Sequence, residues 1–260
     1  MTLCRSIDGG LDDLAGPKGG KLARKLISTL REWHGEAVVL TFSPPEIPTL
    51  PAFFLPETLE QHRDTLYRIE AGNFLNEVDA WQWSALALAL ASEQPPVLQQ
   101  HILLFYPAAP ARFIEHELRR FFDITIGGLH IEAISRLFSG RNEILPVLEL
   151  EERYTAFYLS ENGRTGYFRY WPTTKEEDRS YFAIRELTSA PVGNSSVLVT
   201  GSAAGTRTLE RISRESACTL QPFELPAWVS EARGCGKSRS MTATIRAASS
   251  AIMMLNSGPR

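Results

Sequence analysis

Residues Val197 to Ile212 read VLVTGSAAGTRTLERI. Four strand-forming residues run into Thr-Gly-Ser, a turn of small residues follows, and the spacing predicts an amphipathic helix from about Thr206. A strand that turns at a glycine into a helix is a building block of α/β folds. It is also the local shape of a phosphate cradle, where free backbone N–H groups and the positive end of the helix dipole point the same way. The chain therefore either binds a nucleotide or keeps the shape of a site that did.

The neighbouring segments extend the pattern. Gly19 to Trp33 places Leu22, Leu26, Ile27, Leu30 and Trp33 on one helical side, and AVVLTFS (Ala37 to Ser43) follows as a buried strand. The proline-rich EIPTLPAFFLP is expected to end regular structure, with a helix resuming over Thr58 to Leu75. Trp81 and Trp83 open SALALALA, which fits a strand and a buried helix equally well. HILLFYP (His101 to Pro107) is a buried strand, Ala111 to Asp123 an amphipathic helix, and Ala133 to Ser139 a short one. ILPVLELEERYTAFYLSENGRTGYFRYWP resembles two antiparallel strands joined at Asn162-Gly163. Glu176 to Leu187 fits a helix, and the tail SRSMTATIRAASSAIMML a last one. Strands alternate with helices, with hairpins inserted, so the class is α/β.

At 260 residues with 43% hydrophobic content, one large domain or two lobes can bury a core. A net charge of −3 without a dominant basic run argues against a nucleic-acid surface. No stretch reaches the roughly 18 apolar residues of a membrane span, and MTLCRSIDGGLDDL lacks a signal-peptide core. Cys4, Cys218 and Cys235 are scattered and odd in number, which fits a reducing, intracellular setting. Neither they nor the five histidines show metal-ligand spacing, so no metal is expected.

The order of these pieces resembles the PilM-like branch of the actin-like ATPase superfamily, the cytoplasmic assembly proteins of type IV pili. It is also similar to the cytoplasmic domain of the type II secretion protein GspL. Four patterns carry the resemblance across roughly residues 15 to 250: VVLTFS leading to RIEAGNFL; HILLFYPAAPARFIEHELRRFFDITIGGLHIEAISRLF; VLELEERYTAFYLSENGRTGYFRYWP; and VLVTGSAAGTRTLERISRESACTLQPF. The resemblance implies an actin-like (ribonuclease H-like) fold of two reduced lobes. The first would run over 1–142, with a small subdomain inserted at about 46–100. The second would run over 143–225, and a C-terminal helix at 226–260 would return to the first lobe.

The departures from the family pattern matter for function. Where the family has an Asp-Ile-Gly phosphate hairpin, this chain has Glu149-Leu150-Glu151, followed by Glu152. The lost glycine closes the backbone approach to phosphate, and extra carboxylates repel it. Thr155 remains as a hairpin hydroxyl, Gly201 keeps the first glycine of the adenosine segment, and Ser202 replaces the second. A degenerate nucleotide cleft of Glu149, Thr155, Gly201 and Ser202 is expected, with no cofactor required. Mg-ATP is the ligand of the alternative reading, an actin-like ATPase or filament protein. A kinase or hydrolase on this fold would need an early catalytic aspartate, for which Asp8, Asp12 and Asp13 are the candidates.

The remaining motifs are weaker. GCGKS (Gly234 to Ser238) lacks both the upstream glycine and the strand of a P-loop, and no G-x-S-x-G elbow supports a hydrolase. Aromatic clusters at PAFFLP, Trp81/Trp83 and YFRYW are core residues or the anchors of a peptide groove. The family's known role is to hold the cytoplasmic tail of an inner-membrane partner, PilN, in a first-lobe groove, which here points to Phe53 and Phe54. The expectation is a non-catalytic scaffold, cytoplasmic and peripheral to the inner membrane, with a PilN-like tail as partner and self-pairing as a second interaction.

Overall fold

The computed structural model describes residues 13–223 apart from 15, 32–33, 36, 43, 45, 89–97, 130–143, 162–163, 191 and 193–195. The expected helices at 133–139 and in the tail, the Asn162-Gly163 turn, GCGKS, Cys4, Cys235, Asp8 and Asp12 lie outside the described residues.

Helix α1 (Gly19–Thr29) presses Leu22, Leu26 and Ile27 onto the main core. Strand β1 (Ala37–Phe42) pairs in parallel with β5 (Asp123–Leu129). Between them the chain builds a separate antiparallel sheet from β2 (Thr49–Phe54), β3 (Trp81–Ala87) and β4 (Gln99–Pro107), in the order β2-β4-β3. The central strand β4 is buried on both faces, which is why its sequence is continuously apolar. Leu103 and Phe105 pack under helix α2 (Pro56–Phe74), while Ile102, Leu104 and Tyr106 join the main core. Each such fully buried side chain contributes about 1.5–3 kcal/mol. Helix α3 (Ala108–Leu118) leads from β4 to β5.

The second sheet has the order β10-β9-β6-β7-β8. Strands β6 (Ile144–Leu150), β7 (Tyr154–Glu161) and β8 (Arg164–Pro172) form an antiparallel meander. Strands β9 (Val197–Thr200) and β10 (Leu220–Pro222) add in parallel beyond β6. Helices α4 (Glu176–Ser189) and α5 (Thr206–Ser216) cover one face, where Leu148, Leu150 and Phe157 meet Leu187 and Ile212. Alternation turns Val147, Tyr154, Ala156 and Tyr158 to the other face, where they share a core with residues of the first lobe.

Four sequence expectations need correction. TLPAFF does not end regular structure; it is strand β2, and Pro51 is tolerated because β2 lies at a sheet edge. The following helix starts at Pro56, whose missing N–H costs nothing in a first turn. Helix α3 spans Ala108–Leu118 rather than Ala111 to Asp123, because Asp123 already pairs with Ala37. The 144–172 segment holds three strands, not two, since the chain also reverses at Glu151, Glu152 and Arg153. The open choice for Trp81 onward resolves as strand β3, one side packed against the α2 core and the other contributing Leu86 to the main core.

Candidate functional site

The turn after β9 is built by Gly201, whose φ is +117°. A Cβ at this position would lie 1.9 Å from the Leu150 carbonyl oxygen, so only glycine fits against the end of β6. That contact explains the glycine by packing alone. The Ala203 N–H then donates to the same Leu150 carbonyl at 3.0 Å. The N–H of Ala204 goes to the Gly201 carbonyl (3.2 Å) and that of Gly205 to the Ala203 carbonyl (2.9 Å).

The remaining amide of the turn, Ser202 N–H, donates to Glu151 Oε1 at 3.1 Å, and the Ser202 hydroxyl donates to Glu151 Oε2. All four N–H groups from Ser202 to Gly205 are thus spent inside the chain. Helix α5 follows with Gly205 as its N-cap and no side-chain cap. Thr208 in its first turn donates to Glu176 Oε1 at 3.1 Å, bringing a second carboxylate of the chain to this helix end.

Glu149 sits on the inner face of β6, fully buried, and accepts hydrogen bonds from the Tyr154 hydroxyl (2.9 Å) and the Tyr158 hydroxyl (2.5 Å). Its parallel partner across the ladder is Thr200, 1% exposed, whose hydroxyl has no partner among the described residues. Thr155 pairs with Leu150 and so lies on the opposite, helix-covered face, its hydroxyl 3.3 Å from that of Thr173. The four expected cleft residues therefore split. Gly201 and Ser202 share the turn, Glu149 lies below it on the inner face, and Thr155 is behind the sheet. These groups do not fit a nucleotide phosphate: the turn's donors serve the chain itself, and the nearest carboxylates hold hydroxyl groups. Among the described residues no group of three or more His, Cys, Asp or Glu could hold a metal ion.

Phe53 and Phe54 also part company. Phe54 is buried between the Tyr67 and His101 rings, at centroid distances of 5.4 and 5.7 Å, while Phe53 is 57% exposed. Under them the Tyr67 hydroxyl and His101 Nδ1 share a hydrogen bond of 2.8 Å, and His101 Nε2 has no described partner. Burial, with a smaller effect from the Arg63 charge, holds the His101 pKa below its ordinary 6.5.

A cleft of about 420 Å³ opens instead between β3 and α3. Trp81, Gln82 and Trp83 form one wall, Tyr106 stands at the end of β4, and Arg112 and Glu115 project from α3. Arg68 and Asp79 close one end as an ion pair at 2.5 Å, and Glu115 is held by Arg119. Arg112 makes no ion pair with any described residue. Gln82 Oε1 is buried without a hydrogen-bond donor among the described residues. Among the described residues β3 lies at the edge of its sheet, and one row of its backbone groups over Trp81–Ala87 has no ladder partner there. The paired tryptophans were the sequence signal for this cleft; Arg112 and Gln82 had none, because only the fold brings them together.

No family model and no curated protein matches the chain. Among solved structures, a PilM–PilN type IV pilus biogenesis complex aligns with a TM-score of 0.63 at 13% identity, over 94% of this chain and 87% of that one. The cytoplasmic domain of EpsL, an inner-membrane component of the Vibrio cholerae type II secretion system, gives 0.48 at 9% identity, over 91% and 82%. A Bacteroides thetaiotaomicron protein with an actin-like ATPase fold gives 0.47 at 9%, over 88% and 83%. The chain shares the α/β fold of the PilM–PilN structure that it aligns with.

Proposed function

We propose that this protein is a non-catalytic scaffold of a type IV pilus or related secretion assembly, and that the cleft between β3 and α3 holds a peptide from an inner-membrane partner. The observation that carries the reading is the chemistry of the cleft. Two tryptophans offer apolar surface, and among the described residues Arg112 makes no ion pair, Gln82 Oε1 has no donor and the β3 edge has room for one more strand. An extended peptide carrying a carboxylate answers all four features at once. The similarity to a PilM–PilN complex supports a PilN-like cytoplasmic tail as that peptide. The protein would then work on the cytoplasmic side of the inner membrane, and no described helix is long and apolar enough to cross it. The rival reading, an ATPase, has to displace Glu151 from the Ser202 turn before a phosphate can enter.

Titration of tryptophan fluorescence with a synthetic peptide of the partner's cytoplasmic tail tests the proposal. Binding is expected to weaken at least about tenfold (~1.4 kcal/mol) in Arg112→Glu and in Trp83→Ala, and to be unchanged in Phe53→Ser. Absence of binding, or an affinity indifferent to Arg112→Glu, rejects the cleft as the docking site.

A further inference from the structure

We propose that the cationic outer face of helix α1 is a docking surface for an anionic lipid bilayer, and that it holds the first lobe against the membrane by charge alone. The proposal stands whether or not the β3 cleft takes a peptide.

Between Leu14 and Arg31 the chain carries Lys18, Lys21, Arg24, Lys25 and Arg31 and no acidic residue. Other residues separate most of these cations, so the sequence shows no basic run; the helix gathers them. Leu22, Ala23, Leu26 and Ile27 turn onto the main core, and the cations are exposed on the opposite side. None of them makes an ion pair with a described residue. Arg24 Nε donates only to its own helix, at the Gly20 carbonyl (3.1 Å).

The helix gains nothing from this arrangement. Lys18 is the N-cap and Lys21 stands in the first turn, where the positive end of the helix dipole repels a cation. No acidic residue occupies that first turn and no basic residue the last. Helices α2 and α4 are built the other way round, opening on Glu57 and on Glu176, Glu177 and Asp178. Along α1, Lys21 also repels Arg24 and Lys25 at the i+3 and i+4 positions. Cations that oppose their own helix are accounted for by an anion outside the protein.

The surface is broad. α1 leads into β1 and α3 into β5, and those parallel strands begin side by side at Ala37 and Asp123, so the two helices end together. The Gly35 N–H donates to the Phe121 carbonyl at 3.0 Å, and the His34 and Phe121 rings stack at 5.3 Å. Arg31 and the exposed Arg120 extend the cationic face at this end, and Phe121 adds an exposed ring. The described acidic residues close by in the chain are Asp13 before α1 and Glu115 and Glu117 on α3, and Glu115 already holds Arg119. A cluster of about four to eight Lys or Arg on an amphipathic helix is the composition that holds a protein at anionic headgroups. The apolar side of α1 is spent on the core, so nothing inserts among acyl chains and the contact is electrostatic. A planar, fluid surface brings many headgroups to such a face at once, whereas a single small anion would meet one or two of its cations.

Cosedimentation with vesicles is the test. The protein should bind vesicles of phosphatidylcholine with about one-third phosphatidylglycerol at about 0.05 M salt, and at least about tenfold more weakly at about 0.5 M. Pure phosphatidylcholine should retain none. Lys21→Glu with Lys25→Glu should weaken binding at least about tenfold. Arg153→Glu with Arg207→Glu makes an equal change of net charge on exposed residues of the second lobe and should leave binding within about twofold. Lys21→Glu favours the α1 dipole, so the first variant should melt no lower than the unsubstituted protein. If it does melt lower, Lys21→Gln with Lys25→Gln takes its place. Absence of binding to the anionic vesicles, equal binding to pure phosphatidylcholine, or equal weakening by the two charge-reversed variants overturns the proposal. Equally tight binding of an RNA oligonucleotide, weakened by the same α1 substitutions, also overturns it and assigns the face to nucleic acid. The vesicles carry no partner peptide, so failure here leaves the cleft titration to be judged by itself.

Discussion

Glu149 and Glu151 stand two positions apart and meet different chemistry. Glu151 leaves the sheet and reaches a turn, while Glu149 stays inside it with a tyrosine hydroxyl on each oxygen. Its burial is tolerable because those hydroxyls replace water as donors. Tyr158→Phe deletes the shorter of the two bonds and leaves an acceptor buried, which should cost about 1–3 kcal/mol of unfolding free energy in urea. A change below about 0.5 kcal/mol would mean that water or another donor reaches Glu149. The substitution of Glu-Leu-Glu for Asp-Ile-Gly was legible in the sequence; the groups that occupy the two carboxylates were not. Tyr154 and Tyr158 meet Glu149 only because the chain reverses over Glu151, Glu152 and Arg153, a turn with no glycine, proline or asparagine to announce it. Ser202 was visible as a changed residue, but its bond to Glu151 joins positions 51 residues apart.

At the scale of elements, the small sheet β2-β4-β3 and helix α2 form a unit with a titratable group at its centre. His101 on β4 is enclosed by Phe54 and Tyr67, and Arg63 is the charge that acts on it. Its folded pKa is below 6.5, so in the window beneath 6.5 the unfolded chain binds more protons than the folded one. This group's contribution to stability is therefore complete above 6.5 and is lost as the pH falls toward the lowered folded value. Exchange of β4 amides should accelerate between about pH 7 and pH 5, after correction for intrinsic rates, and the acceleration should shrink in His101→Gln. An identical pH response in the two proteins would show that His101 is not its source. Elements with an unambiguous period, such as α1 and β4, were legible in the sequence. β2 was not, because Pro51 reads as a breaker until its edge position is known. Adjacent residues in a strand face opposite sides, so Phe54 joined the core and Phe53 the surface.

The whole molecule is held by a core that does not stop at the boundary between lobes. Phe42, Tyr106 and Ile114 from the first half pack in one cluster with Val147, Tyr154, Tyr158 and Phe168 from the second. Tyr170 adds a polar tie: its hydroxyl accepts the Ile47 N–H at 3.0 Å, and burial drives its pKa far above the ordinary tyrosine value. Leu88, just beyond β3, forms a parallel bridge with Thr165 of β8, so the small sheet also touches the larger one. A hinge that opened for nucleotide would have to break all three connections. The lobes should consequently unfold together, with calorimetric and van't Hoff enthalpies in agreement. A ligand present at 100 times its dissociation constant would add about 2.7 kcal/mol and raise the midpoint by several degrees. With the Ser202 turn closed by Glu151, millimolar Mg-ATP should shift the midpoint by less than about 1 °C. A larger shift would mean that the nucleotide displaces Glu151, and two separate transitions would mean that the shared core does not couple the lobes. A single transition indifferent to Mg-ATP is what a shared core and an internally filled turn require together, since either feature alone would leave the other outcome open.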